Sequence, residues 1–195
     1  LVDENAANFC TLNPLDTTNS ATAPTNANLT APVNAGAYRR IGSTIQLPSS
    51  GKWYFETHCD SFSSFPTFAV GLAKKLFDTA GGNPVGTLST EWGYNGQTGT
   101  LVNNNTSISS GVNTVTTNDI MQIAYDGSTG KVWFGKNNTW QGAGSPNPAT
   151  DTAPNYTGVY DVFPVLVQNW AAMSINFGQR PFKYTPPTGF LKLNT

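Results

Sequence analysis

The chain of 195 residues carries 10 Lys plus Arg against 11 Asp plus Glu, a net charge of −1, and only 11% of its residues are charged, less than half the usual share of about 25%. That balance offers no field for a nucleic-acid backbone or an anionic bilayer, so neither partner is expected. No stretch approaches the ~20 apolar residues of a membrane helix, and a chain of this length suffices for one domain with a sizeable core.

Leu1-Val2-Asp3-Glu4 reads as no signal peptide, so a soluble chain cut from something longer is expected. Residues 1–50 are loop chemistry broken by short apolar pieces at Phe9, Leu12, Leu15, Leu29 and Val33. They predict an arm that wraps the body and adds one or two edge strands. Pro48-Ser49-Ser50-Gly51 turns the chain into the first core strand, residues 52–60. There Trp53, Phe55, Thr57 and Cys59 alternate with Tyr54, Glu56 and His58. Further strands are expected at 67–73, 91–94, 100–102, 119–125, 131–136, 162–168 and 172–177.

Between the fourth and fifth of these, Asp126-Gly127 and Thr129-Gly130 mark a hairpin turn, with Gly placed for positive φ. No window sustains a 3.6-residue apolar period, so helix should be negligible, at most a short turn over 74–79. The tail, with Pro181, Pro186 and Pro187, is no central strand. It should cross a sheet edge, pinned by Phe182, Tyr184 and Phe190. Many short strands punctuated by Gly, Pro and Asn predict an all-β sandwich of two antiparallel sheets. Cys10 and Cys59 are read as two free buried thiols in preference to a bridge. The five Asn-x-Ser/Thr sequons, at Asn28, Asn104, Asn105, Asn137 and Asn155, are expected by chance in so Asn- and Thr-rich a chain.

Glu56 and Asp60 share a strand face and are the nearest approach to a glycosidase pair. No third acid lies between them, however, and a solvated Glu56 is the favoured reading. His58 is the only histidine. It has no Gly-x-Ser-x-Gly elbow and reads as a surface or partly buried residue. One His and two separated Cys supply no zinc cage, and Asn103-Asn104-Asn105 lacks the carboxylates calcium prefers. Neither a metal nor any cofactor is expected. Gly127-Ser128-Thr129-Gly130-Lys131 has the wrong spacing for a phosphate loop and runs into a strand. Trp53 and Trp133 read as core, and Trp140 as closing the hairpin.

The run from Asn118 to Trp140, with Asp126-Gly127 followed by Val132-Trp133-Phe134 and Lys136-Asn137, resembles the signature of the SPRY (B30.2) family. Lys52-Trp53-Tyr54-Phe55-Glu56, Phe68-Ala69-Val70-Gly71-Leu72-Ala73, Glu91-Trp92-Gly93-Tyr94 and Val162-Phe163-Pro164-Val165 leading to Asn176-Phe177-Gly178 agree in the family's order, covering roughly residues 51–190. The resemblance implies a concanavalin A-like bent β-sandwich and one domain over 1–195, with Trp92 packing inward. The tail resembles SPRY modules of bacteriophage and other viral particle proteins.

Family members bind peptides or proteins through loops at one end of the sandwich. Transferred to matching positions, this implicates Asn169 and Trp170, and more loosely the loop 82–90. Those loops lack the charges that peptide-binding members use. An uncharged rim of Asn and Thr with an exposed ring suits sugar hydroxyls and a pyranose face. The candidate ligand-binding set is Asn169, Trp170, Trp92, Tyr94, Asn103 and Asn104. The expectation is a non-catalytic recognition module of a virion or other surface assembly, such as a tail fibre, receptor-binding or decoration protein. Its partners would be a host-surface glycan or protein, other virion subunits, or copies of itself. A purely structural subunit and a polysaccharide-degrading enzyme are the alternatives.

Overall fold

Two long strands organise the molecule, each passing from one half of a curled sheet to the other. The computed structural model describes residues 8–16, 22–33, 38–74, 85–108 and 111–194, of which 62–67 by their backbone alone. Among them the strands are β1 (Thr30–Ala31), β2 (Arg39–Gly42), β3 (Lys52–Ala73), β4 (Glu91–Asn95), β5 (Thr100–Asn103), β6 (Thr106–Ile108), β7 (Ile120–Asp126), β8 (Lys131–Lys136), β9 (Thr139–Trp140), β10 (Phe163–Asn176) and β11 (Leu191–Lys192). The one 3₁₀ turn among these residues is Pro148–Thr150, whose first turn is capped by Asn147. The short turn expected over 74–79 falls, beyond Lys74, outside the described residues.

The first half of β3 pairs with β7, from Lys52↔Asp126 to His58↔Ile120, and the second half with β4, from Ala69↔Asn95 to Ala73↔Glu91. β10 runs antiparallel beside both halves, from Phe163↔Ala73 to Asn176↔Glu56. β7-β8-β9 therefore extends one half of the sheet and β4-β5-β6 the other. The arm supplies the two short strands expected of it: β1 pairs with the end of β10 and β2 with its beginning.

Apolar side chains facing inward from both halves form one core. It includes Phe55, Cys59, Met121, Ile123 and Phe134 from the first half and Phe68, Val70, Leu72, Tyr94 and Leu101 from the second. The Tyr94 and Phe134 rings meet edge to face across it, with centroids 6.2 Å apart. Each such ring contributes about 1.5–3 kcal/mol by leaving water.

The hairpin joining β7 and β8 pairs Asp126 with Lys131. Its two glycines have different reasons. Gly130 has φ +64°, whereas Gly127 is not left-handed; a Cβ there would lie 2.2 Å from the Pro48 carbonyl oxygen.

Several expectations are corrected. Residues 52–60 and 67–73 belong to one strand, as do 162–168 and 172–177, apart from the end residues Val162 and Phe177. β6 was not anticipated, and β11 pairs with β3 in parallel, Leu191↔Trp53. Trp53 is only half-buried. Trp133 is fully buried, but in a separate outer cluster with Tyr54, Ala124 and Phe190, against which Phe182 and Trp140 pack. The tail thus lies on the outer face of the first half as well as along β3, which is why every residue of β7 is buried.

Candidate functional site at the bend

Where the two long strands turn from one half to the other, their register slips. Asn169 faces Thr67 and Ala171 faces Phe62, so residues 63–66 of β3 stand opposite the single residue Trp170. Trp170 takes a left-handed backbone, φ +58°, and its side chain is 42% exposed, while Val167 and Ala171 on either side are fully buried. A bulky residue in that conformation costs roughly 1–2 kcal/mol. The kink turns the ring outward from an otherwise buried strand.

Asn169 is half-buried, and its Oδ1 is buried with no hydrogen-bond partner among the described residues. Next to it the amide of the buried Gln168 donates to the Pro32 carbonyl at 2.6 Å, tying the arm to this end.

Three neutral turns share the bend end. Gly96 N donates to Phe68 O at 3.1 Å, Asn118 N to Cys59 O at 2.8 Å and Asn137 N to Ile120 O at 2.9 Å. Asp119, beside them, is paired with Lys136 at 2.9 Å. Burial raises its pKa, but Lys136 and the donors Thr116 N and Asn137 Nδ2 outweigh that and hold the carboxyl below its ordinary value.

The remaining candidates do not join Asn169 and Trp170. Trp92 (8% exposed) and Tyr94 (0%) turn into the core, and the Tyr94 hydroxyl donates to Asn113 O at 2.5 Å. Both stand behind the surface and not on it. Asn103 and Asn104 lie at the opposite end of the strands. There Asn103 Nδ2 donates to Glu91 O at 2.6 Å and Asn104 N to Leu88 O at 3.2 Å. Of the loop 82–90, residues 82–84 fall outside the described residues and 85–90 sit at this far end beside Glu91.

Glu56 is not solvated, contrary to the favoured reading. It is 4% exposed and accepts the Tyr54 hydroxyl at 2.8 Å, Lys183 N at 2.8 Å and Tyr184 N at 2.9 Å. Its lone pairs fasten the tail and are not aimed at a substrate. Burial, then the Glu56 charge, push the Tyr54 hydroxyl well above its ordinary value.

His58 Nδ1 lies 2.5 Å from Asp60 Oδ1, to which Ser174 Oγ also donates at 2.9 Å. With the carboxylate in the middle, serine and histidine both bond to Asp60; a Ser–His relay needs the hydroxyl on the ring. His58 and Ser174 floor a groove of about 440 Å³ walled by Arg180, Phe182 and Lys183. Cys10 and Cys59 are free and fully buried; burial, then Asp60 and Asp119, push the Cys59 thiol up to about 12, which leaves it unreactive. Among the described residues no three His, Cys, Asp or Glu gather as a metal cage.

The molecule is thus a curled, almost entirely antiparallel β-sheet with a strained, exposed aromatic at its bend. Residues 52–180 match the SPRY domain model, and the chain belongs to that family of generally non-catalytic interaction modules. The chain is similar in structure to the SPRY domain of human HERC1, with a TM-score of 0.66 at 14% identity, covering 87% of this chain and 99% of that one. A second human SPRY domain gives 0.61 at 16% identity, covering 80% and 96%. No curated protein matches the chain in sequence.

Proposed function

We propose that this protein is a non-catalytic recognition module on the surface of a virion, in a tail-fibre, receptor-binding or decoration position, and that its bend end takes an uncharged segment of a host-surface glycan or protein. The observation that carries this reading is Trp170, 42% exposed on a left-handed backbone in the middle of a buried strand. A fold that keeps strain in one exposed ring keeps it for contact. The neighbouring turns contribute amide and hydroxyl groups, and the Asp119–Lys136 pair beside them is internally neutral. This favours an uncharged partner. The viral setting rests on the resemblance of the tail to particle proteins.

A purely structural subunit would use arm and tail to reach its neighbours. Here both are engaged on their own body: Gly42 N donates to Asp16 at 2.7 Å, and Glu56 holds Lys183 and Tyr184. That favours recognition.

The test is binding of the intact chain to an array of host-surface glycans and envelope proteins, repeated with Trp170→Ala. Weakening by about tenfold or more, the loss of a contact worth at least ~1.4 kcal/mol, with an unchanged near-UV spectrum supports the bend end. Equal binding by the variant removes it.

A further inference from the structure

The outer face of β4, β5 and β6 carries a groove of about 360 Å³ that does not involve Trp170. Asn95, Thr100 and Ser107 line it from the sheet and Thr98 from the turn between β4 and β5, Asn105 closes one end, and Val85 and Val102 supply the apolar floor. Every lining residue is uncharged.

The groove has a built wall. The segment 85–87 lies directly on the sheet, because a Cβ on Gly93 would come within 2.6 Å of Val85 O. One on Gly86 would come within 2.5 Å of Val102 O. Both contacts need glycine. Glu91 pins the segment by accepting Gly86 N at 3.0 Å while paired with the buried Arg40. Such a wall does not have to be ordered when a ligand arrives, which removes part of the cost of binding.

The polar atoms facing the groove are of one kind. Asn95 Oδ1 is occupied by Gln97 N and Thr98 N at 3.0 and 3.3 Å, which orients the amide and leaves Nδ2 to donate. The Thr98 and Thr100 hydroxyls lie 2.7 Å apart, each keeping acceptor capacity. Asn105 and Ser107 spend no side-chain hydrogen bond within the described part of the molecule. Amides and hydroxyls that both donate and accept match the vicinal hydroxyls of a sugar, which do the same. With no cation in the lining, a phosphate or carboxylate would be desolvated there without a counter-charge.

We infer that this groove is a binding site for a neutral oligosaccharide lying across β4, β5 and β6, with Asn95, Thr98, Thr100 and Ser107 reading its hydroxyls. The site borders the bend end through the 96–99 turn but does not use Trp170, and it stands or falls without that residue.

The experiment is an amide NMR titration of the intact chain with neutral gluco-, manno-, galacto- and N-acetylglucosamine oligosaccharides, with sialylated oligosaccharides alongside. A neutral probe is expected to shift the amides of Asn95, Thr98, Thr100 and Ser107. Thr100→Lys and Ser107→Arg, on the exposed sheet face, should each raise the Kd read at those amides at least about tenfold. Thr100→Val, which keeps the shape and loses the hydroxyl, gives the same reading should the charged variants fail to fold. No response to any neutral probe, shifts confined to residues 169–171, preference for sialylated probes, or unchanged affinity in the groove variants would each overturn the inference. Shifts confined to 169–171 that Trp170→Ala abolishes would sink this site while sparing the bend end.

Discussion

Glu56 takes three hydrogen bonds on a carboxylate that is 4% exposed, and two of the donors are backbone amides 127 and 128 positions away in the tail. Bonds to an ionised acceptor contribute about 1.5–3 kcal/mol each. Glu56→Ala is therefore expected to cost about 2–4 kcal/mol, because the freed amides can recover water only by undocking. Urea unfolding reads the loss, and hydrogen exchange should locate it at Lys183 and Tyr184. Protection of those amides that survives the substitution would refute the assignment. Asp119 supplies the pH dependence. Its carboxyl is held below the ordinary value in the folded protein, so the native state binds that proton less readily than the unfolded chain. The sign follows: its contribution is present above the unfolded Asp value of about 3.9 and is lost as pH falls through the lower folded value. Asp119→Asn should be less stable than the parent at neutral pH. The gap should close below about pH 4, and a gap independent of pH would show that Asp119 acts only through its shape.

At the scale of the element, the alternation of residues 52–60 and the turn at 126–131 made the β3–β7–β8 core legible, since both depend on neighbours within a few positions. The continuity of β3 and β10 was not legible. Residues 61–66 and Asn169-Trp170-Ala171 fall between the predicted strands, and only pairing between strands about a hundred residues apart carries them round the bend. β6 escaped notice because Thr106-Ser107-Ile108 is short and exposed throughout, with no buried face to pattern. The bend also makes a prediction about its own strain. Gly at position 170 removes roughly 1–2 kcal/mol of left-handed strain and gives back about 0.5–1 kcal/mol in unfolded-chain entropy. Trp170→Gly should thus leave the thermal midpoint unchanged or raise it slightly while abolishing binding at the bend end, a trade of stability against function. A clear drop in the midpoint would mean that the ring packs for stability.

For the whole molecule, the regular spacing of short strands conveyed an all-β body with one core, and Phe55, Phe134 and Val70 lie where alternation puts them. Alternation could not show that the outer face of the first half is buried as well. Tyr54, Glu56 and Trp133 face away from the core, and a solvated outer face is the normal outcome for an antiparallel sheet. Only the tail's return, with Phe182 edge-on to Tyr54 at 4.9 Å and Phe190 to Trp133 at 6.3 Å, makes a second apolar layer. Deleting residues 181–195 should then do more than fray an end. It uncovers Tyr54 and Trp133 together, forfeits about 1.5–3 kcal/mol for Phe190 alone, and leaves Glu56 without its two amides. A total loss of at least about 4 kcal/mol is expected, a large share of the 5–15 kcal/mol that holds a typical domain. The exposed patch should also promote self-association, visible by light scattering. Phe190→Ala is the milder control, costing about 3 kcal/mol and leaving the chain monodisperse. A truncated chain that keeps the parent's urea midpoint and stays dispersed would show that the tail rests on the sheet without supporting it.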